Sequence, residues 1–206
     1  MATLLQGIRR HLLPLLALGA LVTADKTFNI ANGCPNAITI YVNGESRGSV
    51  APGAAIVNTV ADNWTGFIYS NVNAPGGNTG AGTTKAGFVN QAGYYFIIKD
   101  QSNFNTGVSI VPSASASNGL CPRVTCNSRF CANTYTEQPA SFPEPSGNAP
   151  APPLFSCSSG SFTVRFCPNG AFPRSDGTVS IHPRGNTGKC LDARGGAAAN
   201  GTAVQM

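Results

Sequence analysis

Short stretches of apolar, β-branched and aromatic residues recur along the chain, and frequent Gly, Pro, Asn and Ser residues separate them. Within the stretches, apolar positions either alternate with polar ones or run together for four to six residues, a pattern typical of strands. The predicted strands are residues 27–30, 37–42, 46–50, 55–60, 65–70, 87–90, 94–99, 108–111 and 161–166. Many short strands joined by turns predict an all-β sandwich or barrel.

The segments between the predicted strands differ in composition. Asn43-Gly44 between two strand patterns predicts a two-residue hairpin turn. Residues 73–84 are rich in Gly, Asn and Thr and predict a flexible loop. Residues 141–153, named here the Pro-rich segment, predict a semi-rigid surface excursion because proline cannot pair inside a sheet. Residues 169–178 have few apolar positions and predict a linker that ends the first domain.

The N-terminus has the features of a secretory signal peptide over residues 1–24. Arg9 and Arg10 precede an apolar run at residues 12–22, and small or β-branched residues precede Asp25. The run is too short for a membrane anchor, which needs about 20 apolar residues. We therefore expect a secreted, extracellular product without a membrane anchor. In that oxidising compartment, cysteines form disulfides rather than metal thiolates.

Composition and charge exclude several function classes. Only 10% of the 206 residues are charged and 42% are hydrophobic, which excludes a coiled coil and full intrinsic disorder. Losing Arg9 and Arg10 with the leader lowers the formal net charge from +5 to +3, too little for a nucleic-acid footprint. His182 is then the single histidine, which excludes His-rich metal sites and makes a catalytic triad improbable. We expect neither a metal nor a cofactor.

Three motifs give the body of the chain a family resemblance. They are FNIANGCP at residues 28–35, YYFIIKDQSNFN at 94–105, and FSC followed by FTVRFCP within 155–168. Together they resemble small fungal thaumatin-like proteins. The resemblance implies a disulfide-stabilised β-sandwich over residues 25–168, secreted and associated with fungal cell-wall β-glucan or with defence.

Six cysteines lie in this body, and their spacing alone allows 15 connectivities. The resemblance implies one of them. In that connectivity the first and last cysteines of the domain are joined, and the resemblance also implies the two further pairs. The implied pairs are Cys34–Cys167, Cys121–Cys157 and Cys126–Cys131.

The C-terminal residues 179–206 resemble the start of a ricin B-type lectin repeat. GKCLD at residues 188–192 and Gly201-Thr202 with Val204-Gln205 are the matching positions. The resemblance implies that Asp192 accepts hydrogen bonds from sugar hydroxyls, as in galactoside recognition. The family's Gln-x-Trp motif does not follow, so we expect an incomplete β-trefoil repeat belonging to a longer protein. Cys190 would then stay unpaired or form an intermolecular disulfide between otherwise monomeric chains.

Catalysis is less well supported than binding. By resemblance, thaumatin-like proteins that cleave β-1,3-glucan do so in an acidic cleft, and such chemistry needs two carboxylates across the scissile bond. Asp100 matches the acid that ends the middle strand. Tyr95 and Gly87 occupy the positions where further acids are expected. We assign no catalytic residue unless Asp100 serves a glucanase; its other interpretation is a turn former at the end of a strand.

The remaining candidate residues are suited to sugar contacts. Trp64, in a predicted loop, and one of the oppositely facing Tyr94 and Tyr95 are expected to be exposed for stacking, and we select Tyr95. Asp100 and Asp192 would accept hydrogen bonds, and Asn63 lies in a glycosylation sequon. The sequence thus predicts a secreted, non-catalytic carbohydrate-binding protein whose partner is a glycan or polysaccharide. The alternatives are a weak endo-β-1,3-glucanase and an antifungal defence protein.

Overall fold

A computed structural model describes residues 25–100, 102–173, 192–193 and 204–205. Eleven strands of the first two ranges form two sheets. The strands are β1 (Lys26–Asn32), β2 (Ile38–Val42), β3 (Glu45–Val50), β4 (Ala55–Val60), β5 (Gly66–Ser70), β6 (Lys85–Val89), β7 (Tyr94–Ile98), β8 (Val108–Pro112), β9 (Val124–Cys126), β10 (Phe155–Ser156) and β11 (Ser161–Phe166). One sheet has the order β4-β1-β11-β8-β9 and the other β10-β7-β6-β5-β2-β3. The predicted all-β class is confirmed, and the architecture is β-sandwich-like.

The hydrophobic core lies between the two sheets and follows from the alternation in their strands. In β11, Phe162, Val164 and Phe166 point inward and are buried, while Arg165 points outward and is exposed. Inner-face residues of β1 pack in the same core, and β1 pairs with β11 in parallel. The first and last strands of the sandwich are therefore neighbours in one sheet.

Strand β7 is buried on both faces. Tyr95 and Ile97 belong to the core between the sheets. Tyr94, Phe96 and Ile98 belong to a second apolar cluster on the outer face of the six-stranded sheet. Side chains of residues 132–154, named here the covering segment, complete this cluster. They are Tyr135, Phe142 and Leu154.

The covering segment changes the interpretation of the Pro-rich segment that it contains. Most of its residues are exposed, as expected of a surface excursion. However, Phe142 stacks on Tyr94 at 6.2 Å and packs against Phe96 at 5.6 Å between ring centroids. The Pro143 carbonyl also accepts a hydrogen bond from the Tyr94 hydroxyl at 3.1 Å. The segment therefore covers the sheet rather than projecting from it.

The prediction that Tyr95 is exposed for sugar stacking is wrong. Its side chain is 0% exposed, and its hydroxyl donates to the Pro122 carbonyl. Burial raises its phenol pKa far above the usual range. Strand alternation correctly places Tyr94 and Tyr95 on opposite faces, but both faces of β7 are covered, so neither ring is available to a ligand.

Gly87 explains why one of the expected acids is missing from the outer face. It lies opposite Phe96 in the β6–β7 pair, and an added Cβ would come within 2.5 Å of the Phe96 ring. The aromatic ring thus occupies the space that a side chain at residue 87 would need. An acid cannot be accommodated there without moving a buried phenylalanine.

Local turn chemistry accounts for the connections that the sequence predicted well. Asn43 and Gly44 both have positive φ, 49° and 85°, as the predicted hairpin turn between β2 and β3 requires. Strands β4 and β11 have the predicted bounds. The short strands β9 and β10 were not predicted, since two or three residues carry too little periodicity to be recognised.

Three disulfides close the sandwich, and they are the pairs that the resemblance implies: Cys34–Cys167, Cys121–Cys157 and Cys126–Cys131. The first joins cysteines next to β1 and β11 and closes a sequence separation of 133 residues. Cys34, Cys157 and Cys167 are all buried.

Only a short part of the predicted lectin repeat is described. Strands β12 (Asp192–Ala193) and β13 (Val204–Gln205) pair antiparallel, with Asp192 opposite Gln205. The predicted signal peptide, Cys190 and the second half of the predicted linker lie outside the described residues.

We expect the disulfides to contribute unequally to stability. Replacing Cys34 and Cys167 with Ala should lower the free energy of unfolding by about 5 kcal/mol, because the unfolded chain then loses its longest closed loop. Replacing Cys126 and Cys131, which close a separation of five residues, should cost about 2 kcal/mol. Guanidinium unfolding of the oxidised proteins measures both values. Equal losses would contradict the loop-length argument.

Candidate functional site

A cleft of about 340 Å³ lies on the outer face of the six-stranded sheet, beside the covering segment. Its floor consists of Phe67 on β5, Lys85 at the start of β6 and Ile98 at the end of β7. These positions point outward because they alternate with the core residues Ile68, Ala86 and Ile97. The floor is therefore apolar with one cation.

Two polar segments form the walls of the cleft. Thr79 and Thr83 come from the loop between β5 and β6. Thr136, Glu137 and Gln138 come from the covering segment. That segment is held against the sheet next to the cleft, where the Lys99 amide donates to the Tyr135 carbonyl and the Tyr135 amide donates to the Ile97 carbonyl, each at 2.9 Å.

Asp100 lies in the cleft, two residues after the end of β7, and also forms a turn. Its Oδ1 atom accepts hydrogen bonds from the backbone amides of Ser102 at 2.8 Å and Asn103 at 2.9 Å. The turn-former interpretation is thus correct, and the same bonds hold the carboxylate at the cleft. Asp100 remains partly exposed, so it can accept further hydrogen bonds from a ligand.

Lys85 and Glu137 are cleft residues that the sequence analysis did not select. Burial lowers the pKa of the Lys85 ammonium, and the negative charge of Asp100 partly opposes that shift. Glu137 is exposed on the opposite wall. The cleft therefore holds two carboxylates and one amine. No local pattern could have indicated this grouping, because Glu137 reaches the cleft only through the packing of the covering segment.

A buried polar network shapes the wall behind Asp100. The Asn105 amide donates to the carbonyls of Ser70 at 2.9 Å and Val72 at 2.8 Å, and its Oδ1 accepts from the Thr84 amide at 2.7 Å. Asn103 donates to the Asn73 and Gly82 carbonyls. These two side chains tie both ends of the loop between β5 and β6 to the turn that Asp100 begins.

The structure does not bring Trp64 to the cleft. Trp64 precedes β5, at the end of the sheet opposite Asp100, and is partly buried rather than freely exposed. Its ring packs edge-on against Phe28 at 5.4 Å and is tilted against Phe88 at 6.4 Å. The indole covers one end of the core, so its predicted stacking role would have to use the part that remains exposed.

The other predicted site residues lie apart from the cleft. Asn63, in the predicted sequon, is exposed in the turn before β5. Asp192 belongs to β12, and its side chain lies outside the described residues. In residues 25–100 and 102–173, no three His, Cys, Asp or Glu side chains gather as possible metal ligands. Within the described part of the chain, no helix is long and apolar enough to span a membrane.

We expect the Asn105 network to be necessary for the cleft wall. Asn105→Ala should lower the free energy of unfolding by about 3 kcal/mol or more, since a buried amide and two carbonyls lose their partner. Asn103→Ala, the matched control, should cost about 1 kcal/mol because water can replace its partly exposed bonds. Chemical denaturation of both variants provides the test. An equal cost would show that Asn105 has no special role.

Comparison with known proteins gives the chain no family assignment. No protein-family model matches the sequence, and no curated protein matches it. The resemblances to thaumatin-like proteins and ricin B-type lectins therefore rest on the quoted motifs alone. The function of the cleft has to be argued from its own chemistry.

Proposed function

We propose that the chain is a secreted carbohydrate-binding protein, and that its cleft binds a neutral polysaccharide such as β-1,3-glucan without cleaving it. The observation that carries this proposal is the grouping of Asp100, Glu137 and Lys85 around an apolar floor. A sugar presents hydroxyls at its edges and C–H groups on its faces. A ligand site for it needs polar groups at the walls and an apolar surface below.

Each part of the cleft has a complementary part in a sugar. The two carboxylates accept charge-assisted hydrogen bonds from hydroxyls, and Lys85 donates to a hydroxyl or ring oxygen. Gln138 can do both, and Thr79 and Thr83 offer further hydroxyls. Phe67 is partly exposed and can contact the face of a sugar ring. The cleft is open at the surface, as binding along a polymer requires.

We also propose that the sandwich is of the thaumatin-like type. Support comes from the structural roles of the motif residues. In the first motif, the buried Asn32 amide donates to the Val50 carbonyl at 2.8 Å and to the Asn36 carbonyl at 2.9 Å, while its Oδ1 accepts from the Cys34 amide. In the second, Asp100 and Asn105 shape the cleft. In the third, Cys167 completes the disulfide to Cys34.

For the C-terminal segment, we propose a ricin B-type repeat with Asp192 as its sugar contact. Asp192 belongs to β12 and is not among the described residues that line the cleft. Asp192→Ala therefore serves as a useful comparison for cleft variants.

A weak endo-β-1,3-glucanase is the second candidate function, and one observation favours it. Asp100 and Glu137 line the same cleft, and glycosidases use two carboxylates that flank the scissile bond. The sequence alone indicated no partner for Asp100, and Glu137 would take that role in a glucanase. Binding and hydrolysis would use the same residues, so activity has to be measured together with retention.

The binding proposal predicts retention on insoluble β-1,3-glucan. Glu137→Gln and Lys85→Gln should each weaken retention about tenfold, the effect of losing one charge-assisted hydrogen bond of about 1.5 kcal/mol. A pull-down with quantified unbound protein measures this change.

The matched control is Glu144→Gln, the same substitution at an exposed residue of the covering segment outside the cleft. Glu144→Gln and Asp192→Ala should retain wild-type binding. Wild-type retention of both cleft variants would contradict the cleft assignment.

A reducing-sugar assay on the same samples separates binding from hydrolysis. We expect the wild-type protein to release no sugar above the level of a heat-inactivated sample. Sugar release that disappears in both Asp100→Asn and Glu137→Gln would establish the glucanase in place of the binding protein. If the wild type neither binds nor releases sugar, both glycan functions are wrong.

A further inference from the structure

The outer face of the five-stranded sheet has a second cavity, of about 470 Å³, on the opposite side of the sandwich from the cleft. Strands β8, β9 and β11 and the residues beside them form it. Two arginines contribute the charge, and four hydroxyl or amide residues contribute neutral polar groups. The lining residues used here are Ser109, Arg123, Thr125, Asn127, Thr163 and Arg165.

The sheet register places the two arginines on either side of β8. Arg165 on β11 lies opposite Ser109 on β8, and Ser109 lies opposite Thr125 on β9. Arg123 directly precedes β9 and lies two positions before Thr125, on the same face. Because β11 and β9 are two strand spacings apart and Arg123 is offset from Thr125 by two residues, roughly 12 Å separates the two arginine backbones. Their long side chains can engage neighbouring groups of one extended ligand.

These arginines differ from the other basic residues of the sandwich. The remaining five basic side chains of residues 25–100 and 102–173 have partners or a neighbouring carboxylate. For example, Lys26 forms an ion pair with Asp62, and Arg47 forms one with Glu45. Lys85 lies beside Asp100, and the Lys99 ammonium donates to the carbonyls of residues 129 and 131. Among the described residues, neither Arg123 nor Arg165 has a hydrogen-bond or ion-pair partner, and no carboxylate lines their cavity.

The Arg165 side chain is partly positioned by the backbone beside it. An added Cβ on Gly33 would come within 2.9 Å of Arg165 Nε, so the side chain lies next to the loop after β1. Arg123 and Arg165 are both exposed. Two exposed, unpaired guanidinium groups above a row of hydroxyls form a site with a net positive charge and many neutral hydrogen-bonding groups.

We propose that this surface, named here the arginine face, binds an anionic polysaccharide, a polymer with carboxylate or sulfate groups. Guanidinium groups bind both anions with two parallel hydrogen bonds. The side chains of Ser109, Thr125, Thr163 and Asn127 match the hydroxyls of the sugar units between the anions. Nucleic acid is the less suitable polymer, because it demands many basic contacts and the described part of this face offers two arginines.

The arginine face is independent of the proposed function, because the cleft lies on the other sheet and has two carboxylates of its own. An acidic polymer would be repelled by Asp100 and Glu137 and attracted by Arg123 and Arg165. A neutral glucan has no such preference. The cleft would therefore bind neutral glycans, and the arginine face would bind acidic ones.

Affinity electrophoresis of the full chain tests the proposal. The gels contain polygalacturonate, dextran sulfate or neutral dextran at equal concentration and low ionic strength. We expect retardation by one or both acidic polymers and none by neutral dextran. The acidic polymer that retards the protein more strongly identifies carboxylate or sulfate as the preferred anion. Raising the salt concentration to about 0.5 M should abolish the retardation, because the charges are exposed.

Substitutions of the two arginines locate the binding. Arg123→Gln and Arg165→Gln should each weaken affinity for the acidic polymer several-fold, and the double variant at least tenfold. Arg165→Lys keeps the charge but loses the paired hydrogen bonds, so an intermediate loss is expected. Arg47→Gln is the matched control, since it removes the same charge from an arginine already paired with Glu45. It should change affinity less than twofold.

Several outcomes would overturn the proposal. They are equal mobility in acidic and neutral gels, an equal loss for Arg47→Gln and Arg165→Gln, and tighter binding of single-stranded DNA than of either acidic polymer. Thermal unfolding midpoints within 2 °C of the wild type establish that the variants are folded. We expect cleft variants that lose glucan retention to bind the acidic polymers as the wild type does. Failure of the cleft proposal can therefore be distinguished from failure of the arginine-face proposal.

Discussion

The burial of β7 on both faces is the constraint on which the rest of the structure depends. Each of its five residues, Tyr94–Ile98, is apolar or aromatic, so leaving either face in water would expose two or three large side chains. The sandwich core buries one face, and the covering segment buries the other. The polar residues that follow the apolar part of β7 then meet the polar residues of the covering segment. The cleft forms at that transition.

The five-stranded sheet satisfies a different constraint. Its strand β11 alternates, with Phe162 inward and Arg165 outward, so one face is buried and the other can stay in water. No covering segment is needed there. The same sandwich thus has a covered face with an acidic cleft and an open face with two unpaired arginines. The difference originates in whether a strand is apolar at every position or at every second one.

Local sequence chemistry predicted strands β4 and β11 and the Asn43-Gly44 turn, because each depends on residues adjacent in the chain. It did not predict the site. Alternation tells that Tyr94 and Tyr95 occupy opposite faces but not that both faces are covered. Tyr95 packs against Phe162 of the other sheet, and the covering segment that buries Tyr94 lies much later in the chain. Glu137 was missed for the same reason. The role of Asp100 as a turn former was predictable because the amides that it binds are two and three residues away.

Two features of the cleft support our proposal of binding rather than catalysis. The general acid of a glycosidase usually lies enclosed in an apolar pocket. Glu137 lies exposed on a polar wall, with Thr136 and Gln138 beside it. Asp100 already uses one oxygen to hold the turn after β7, so moving it during a reaction would disturb the fold of the wall. Carboxylates that stay open to water in this way are suited to accept hydrogen bonds from sugar hydroxyls, which is why we propose binding as the function of the cleft.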